Sequence, residues 1–83
     1  MAVIFHPHAE ERMYERGATK DEVIATVESG EKFPVKFGRT GFRRNFHFNS
    51  EWKGKRHSTK QVEAYAVQET SDWLVITVIT RYF

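Results

Sequence analysis

The chain has 83 residues, no cysteine, and 13 basic against 11 acidic side chains, for a net charge of +2. That length points to a single domain over residues 1–83 with a small core, because chains of this size bury only about 60% of their unfolded surface; a second copy in a homodimer would add to it. The absence of cysteine excludes disulfides and thiolate metal sites and fits a reducing cytoplasm, and no apolar run approaches the roughly 20 residues needed to cross a membrane.

The start, Met1-Ala2-Val3-Ile4-Phe5, is too short and too uncharged for a secretory signal. Val3 to Phe5 is instead a candidate short first strand. Pro7 suits the first position of a helix, where a missing N–H costs nothing. Glu10 and Glu11 favour the positive end of the helix dipole. The helix should run to Arg16, with Gly17 as a left-handed stop. Thr19 and Glu22 form a capping-box pair for a second helix, whose apolar residues Val23, Ile24 and Val27 share one face. Gly30 ends it.

From residue 31 the apolar pattern has period two. Lys32 to Phe37 reads as a strand, placed at a sheet edge by Pro34. Gly38-Arg39-Thr40-Gly41 reads as a hairpin loop. In the next strand Phe42, Phe46 and Phe48 share one face, and Arg43, Asn45, His47 and Asn49 share the other. Lys53-Gly54 is a turn within an extended second hairpin. Val62 to Val67 and Trp73 to Ile79 are apolar on both faces, as central strands are, and Thr70-Ser71-Asp72 turns between them. The expected fold is α+β: two N-terminal helices packed on one face of a four-stranded antiparallel sheet, with the short N-terminal strand as an optional addition.

The small net charge hides an asymmetry. Residues 1–30 carry a net of −3, residues 31–60 a net of +7, and residues 61–83 a net of −2. A positive middle third attracts polyanions, although a solvated, soluble surface explains such a stretch equally well.

The first helix carries the sharpest chemical pattern. His8, Arg12 and Arg16 are four apart and form one stripe, with Ala9 and Met13 beside it toward the core. Like charges at this spacing repel. Two arrangements offset that repulsion: local pairing, with Arg12 reaching Glu15 and His8 reaching Glu11, or a phosphate held between the cations.

The run His8-Ala9-Glu10-Glu11-Arg12-Met13-Tyr14-Glu15-Arg16-Gly17 resembles the opening signature of the bacterial family catalogued as domain of unknown function 4258: His-Ala, then Arg-Met, then Arg-Gly, then a second helix, here with Glu22-Val23-Ile24. The ending Trp73-Leu74-Val75-Ile76-Thr77-Val78-Ile79-Thr80-Arg81-Tyr82 is similar to that family's last strand. The likeness covers most of the chain, which departs from the pattern between Asn49 and Lys60, where its hairpin is longer. The resemblance implies a RelE-like fold and a ribonuclease of toxin type, held in check by an acidic antitoxin protein.

Metal-free RNA cleavage needs a base for the 2′-hydroxyl, an acid for the leaving oxygen, and cations to steady the transition state. His8 and His47 are the candidate acid and base, since histidine titrates near neutrality. Arg12, Arg43 and Arg81 are candidates to bind phosphate through paired N–H donors. His8, Arg12, His47 and Arg81 thus form the candidate catalytic set. Arg16, Arg43, Arg44 and Tyr65 are candidate RNA contacts. The hairpin around Trp52 adds Lys53, Lys55 and Arg56, cations interleaved with an aromatic that suits base stacking. Tyr82 is a second candidate for stacking.

Ordinary open-face residues of a half-exposed sheet, and a solubilising hairpin tip, are the plainer explanations. His6-Pro7-His8, with His47 and His57, lacks the spacing of a helical zinc motif, so neither metal nor other cofactor is expected. The alternative to an enzyme is a non-catalytic module that binds RNA or a protein partner.

Overall fold

The structure is a computed structural model describing residues 1–83. In chain order the elements are β1 (Val3–Phe5), α1 (Pro7–Arg16), α2 (Lys20–Ser29), β2 (Glu31–Val35), β3 (Arg39–Trp52), β4 (Lys55–Glu69) and β5 (Asp72–Tyr82).

Both helices begin and end where local chemistry dictates. His6 caps α1 from an extended conformation, its Nδ1 accepting the His8 N–H at 3.1 Å, and Pro7 follows as the first helical residue. Gly17 closes α1 at φ 75°, a left-handed conformation that costs a residue with a Cβ about 1–2 kcal/mol. Thr19 and Glu22 form the reciprocal capping box of α2. Ala9 and Met13 of α1 and Val23, Thr26 and Val27 of α2 are buried against the sheet.

The sheet has five strands in the order β1-β5-β4-β3-β2. Strands β2 to β5 form the expected antiparallel meander. The expectation of a wholly antiparallel, four-stranded sheet is corrected by β1, which pairs parallel to β5 and makes the sheet mixed. Backbone bonds from Trp73 N–H to Ala2 O and from His6 N–H to Val75 O, each 2.9 Å, fix that pairing.

The first hairpin loop is also shorter and earlier than the sequence suggested. It turns at Lys36 to Gly38, with Phe37 and Gly38 both at positive φ, so Arg39, Thr40 and Gly41 already belong to β3. The second hairpin turns at Lys53-Gly54, both at positive φ, as a two-residue type I′ turn requires.

The core lies between the helices and one face of the sheet. It includes Phe42, Val62, Ala64, Ala66, Trp73, Val75 and Val78. Alanine at 64 and 66 keeps the centre of β4 low beneath the helices, and Phe42 meets Trp73 edge-on with centroids 5.0 Å apart.

Beyond the helices the long β3–β4 hairpin carries a second, aromatic cluster on the same face. Trp52 stacks on Tyr82 at 4.9 Å, and Phe48 and His57 pack around the Tyr82 ring. Trp52 therefore does not project from the hairpin tip for base stacking. Its ring lies under the α1–α2 turn, where a Cβ on Gly17 would come within 2.6 Å of it. The end of α1 is tied to the sheet by side chains. Thr80 and Tyr82 donate to Arg16 O, and Lys60 donates to Gly17 O while pairing with Glu22, both at 2.8 Å. These contacts satisfy carbonyls that a helix end leaves open. No helix is long and apolar enough to cross a membrane.

Candidate functional site

Helices cover one face of the sheet, and the other face is open. Strand alternation and the register order the open face into rows across the strands. The first row is Ile4, Leu74, Val67, Arg39 and Val35, from β1 to β2. The second is Thr77, Tyr65, Gly41 and Phe33; the third is Ile79, Glu63, Arg43 and Glu31. The fourth is Arg81, Gln61 and Asn45, and in the fifth Thr59 stands opposite His47. Phe42 and Phe46 face the helices, so Arg43 and His47 do occupy the open side.

The first two rows border a hollow of about 370 Å³ lined by His6, His8, Arg39, Ile76 and Thr77. Local chemistry sets each group. His6 is held by its own capping bond; with Nδ1 accepting the His8 N–H, the neutral ring carries its proton on Nε2. His8 stands one turn before Arg12, and its Nε2 accepts a long 3.4 Å bond from Arg12 Nε. Ile76 and Thr77 lie where β5 runs on past the end of β1 and its register against β4 shifts. The Arg39 side chain makes no hydrogen bond or ion pair within the chain, unlike those of Arg43 and Arg81 on the same face. Two imidazoles, a hydroxyl and an uncommitted guanidinium form a donor-rich lining suited to an anion.

The third and fourth rows hold a compact charge network. Arg81 pairs with Glu63, whose side chain is only 6% exposed, and Tyr65 donates to the same carboxylate at 3.1 Å. Arg43 pairs with Glu31 and its guanidinium lies 4.7 Å from the Phe33 ring centroid. Burial, reinforced by the bond to Glu63, raises the Tyr65 phenol above its ordinary value. The hydrogen bond to Glu31 raises Arg43, against a smaller opposing effect of desolvation.

The sequence candidates are thus distributed rather than gathered. His8 lines the hollow, with Arg12 beside it, but Arg12 also pairs with Glu15 at 3.2 Å. His47 lines a second, smaller hollow with Asn45, Phe46 and Thr59. It lies eight residues along β3 from Arg39, roughly 27 Å at the rise of a strand, so His8 and His47 do not share one pocket. Arg81 sits between the hollows, held by Glu63.

Arg16 donates to Val78 O at 2.6 Å and serves the fold. Arg44 points to the helix side, where it bonds Ser29 Oγ at 3.1 Å. Lys53 lies 5.7 Å from the Trp52 ring centroid at the hairpin tip, and Arg56 donates to Asn49 O. Lys55 neighbours them in the turn, far along the hairpin from His8.

Sequence reasoning missed three residues. Arg39 was hidden by its reading as a loop residue. His6 was considered only as a metal ligand. Glu63 was hidden inside an apolar strand, although a lone carboxylate in a central strand is itself a signal, because such a group is costly unless paired. No protein-family model matches the chain, and no curated protein or solved structure matches it either, so the likeness to the family named above stands on the quoted motifs.

Proposed function

We propose that the chain acts on RNA, holding a phosphodiester in the hollow at the start of α1 and cleaving it without a metal. The observation that carries this reading is the lining of the hollow, which joins His6, His8 and Arg39, an arginine that, unlike Arg43 and Arg81, has no carboxylate partner. Arg39 offers paired N–H donors to two phosphate oxygens. His6 presents an Nε2–H to a third acceptor, and the dipole of α1 favours negative charge at the same place. His8 is the group able to move a proton within the pocket, toward the leaving oxygen when protonated or from the 2′-hydroxyl when neutral.

Binding without cleavage is the second reading, and one observation favours it. The basic nitrogen of neutral His6 is already engaged as the helix cap, and that of His8 holds a long 3.4 Å bond from Arg12 Nε, which leaves His8 as the less committed imidazole of this hollow.

Incubating the purified protein with single-stranded RNA in chelator separates the two. Cleavage lost in His8→Ala and retained binding in that variant support the enzyme. Binding lost in Arg39→Ala, with no product from the parent protein, supports the module. RNA that neither binds nor breaks, with or without ribosomes, refutes both. Control by an acidic protein partner, as the motif resemblance implies, belongs to the same proposal; its test is whether such a partner suppresses the RNA activity.

A further inference from the structure

The second hollow lies on the same open face, at the far end of the rows. It has a volume of about 220 Å³, room for about seven waters. Its polar groups differ in kind from those of the first. No carboxylate, lysine or arginine lines it. Asn45 accepts from Gln61 Nε2 at 3.0 Å through Oδ1, so its own amide N–H groups stay available, as does the Gln61 carbonyl oxygen. His47 makes no hydrogen bond in the chain, and the Thr59 hydroxyl has only a long 3.5 Å contact to Ser58. A pocket with donors, acceptors and the His47 ring but no carboxylate, lysine or arginine suits a neutral planar group with its own donor and acceptor edge. It does not suit a phosphate.

The two hollows lie on the same face of one sheet. Four steps of two residues each, from the first row to the fifth, separate Arg39 from His47 by roughly 27 Å. A single strand stretched to about twice the 3.4 Å rise of stacked nucleotides covers that span with about four nucleotides. Along the path the Tyr65 and Phe33 rings lie in the second row, Arg43 with its partner Glu31 and the buried Glu63 in the third, and the Arg81 guanidinium in the fourth. A duplex would not fit this reading, because its base edges are already paired.

We infer that the Asn45–His47–Thr59 hollow is a nucleobase subsite, and that the substrate is a single strand of at least four nucleotides laid along β3 with one phosphate at Arg39. This rests on the RNA reading above and adds the strand state, the length and the second point of contact.

The test uses 2′-O-methyl oligonucleotides of two, four and six residues, which cannot be cleaved through the 2′-oxygen, with binding followed by fluorescence anisotropy in chelator. Affinity should rise steeply from two residues to four and level off by six, with a six-base-pair duplex binding more weakly than the single-stranded hexamer. Asn45→Ala and His47→Ala should each weaken the hexamer by about fivefold or more, the scale of losing one base contact, and leave the dimer unchanged. Arg39→Ala should weaken every length. If Arg39→Ala weakens binding while Asn45→Ala and His47→Ala do not, the base subsite is overturned and the RNA reading survives. If no length binds, both fall. Circular dichroism of each variant separates loss of a contact from loss of fold.

Discussion

Replacing Glu63 by Gln should lower stability and strengthen RNA binding at the same time. The carboxylate is 6% exposed and accepts from Arg81 and Tyr65 on an otherwise solvent-facing surface. Arg81 is half exposed, so screening limits the ion pair to about 1 kcal/mol. Changing the acceptor for Tyr65 from charged to neutral removes roughly another 0.5–1 kcal/mol. Relief of the carboxylate's desolvation offsets part of this, and a net loss of about 1 kcal/mol is expected. For a domain of this size that lowers the melting temperature by roughly 4–8 °C.

The freed Arg81 then adds one cation between the two hollows. The slope of log affinity against log salt for single-stranded RNA should steepen by about 0.7. Thermal unfolding followed by circular dichroism, and anisotropy titrations at several salt concentrations, measure the two effects on one protein. A folded Glu63→Gln variant with an unchanged salt slope would falsify the placement of RNA across the open face.

Three further outcomes follow from the packing. Lys60→Met removes the buried ammonium that joins Gly17 O and Glu22; urea unfolding should show a loss of about 2 kcal/mol, since both bonds are charge-assisted and the site is nearly closed to water. Gly17→Ala combines a left-handed backbone with a Cβ 2.6 Å from Trp52, so a loss of at least about 1–2 kcal/mol should come with a changed near-ultraviolet signal from the Trp52–Tyr82 stack. Tyr65→Phe should soften the alkaline fall in stability. The folded phenol titrates above its ordinary value, so its contribution is complete below about pH 10 and disappears as pH rises through the higher folded value. Urea midpoints for parent and variant between about pH 8 and 11 test this sign.

How far the sequence speaks depends on whether the signal is local. Both helices were legible to the residue because Pro7, Gly17, Thr19 and Glu22 act within one turn of themselves. The meander followed from period-two alternation in long strands. The parallel pairing of β1 was not legible. Three residues carry no period, and their partner lies about seventy positions away in the chain. Arg39 was misplaced because Gly38 and Gly41 bracket it as a loop would, whereas Gly41 is a strand residue whose missing side chain makes room for the Phe33 ring. The candidate site suffered most from the same limit. Histidines and arginines could be named, but which of them an internal carboxylate neutralises depends on cross-strand register. That register set Glu31 opposite Arg43 and Glu63 diagonal to Arg81, and left the Arg39 side chain unpaired.

The pairing of β1 with β5 also bears on when the protein acquires any chemistry during its synthesis. His6 is fixed by a bond to Val75, and the hollow beside it is floored by Ile76 and Thr77. A nascent chain whose last strand has not yet emerged therefore has no pocket. Such distant closure is slow compared with helix formation. Binding of any ligand at the hollow should therefore begin only once Asp72–Tyr82 has folded back onto the start.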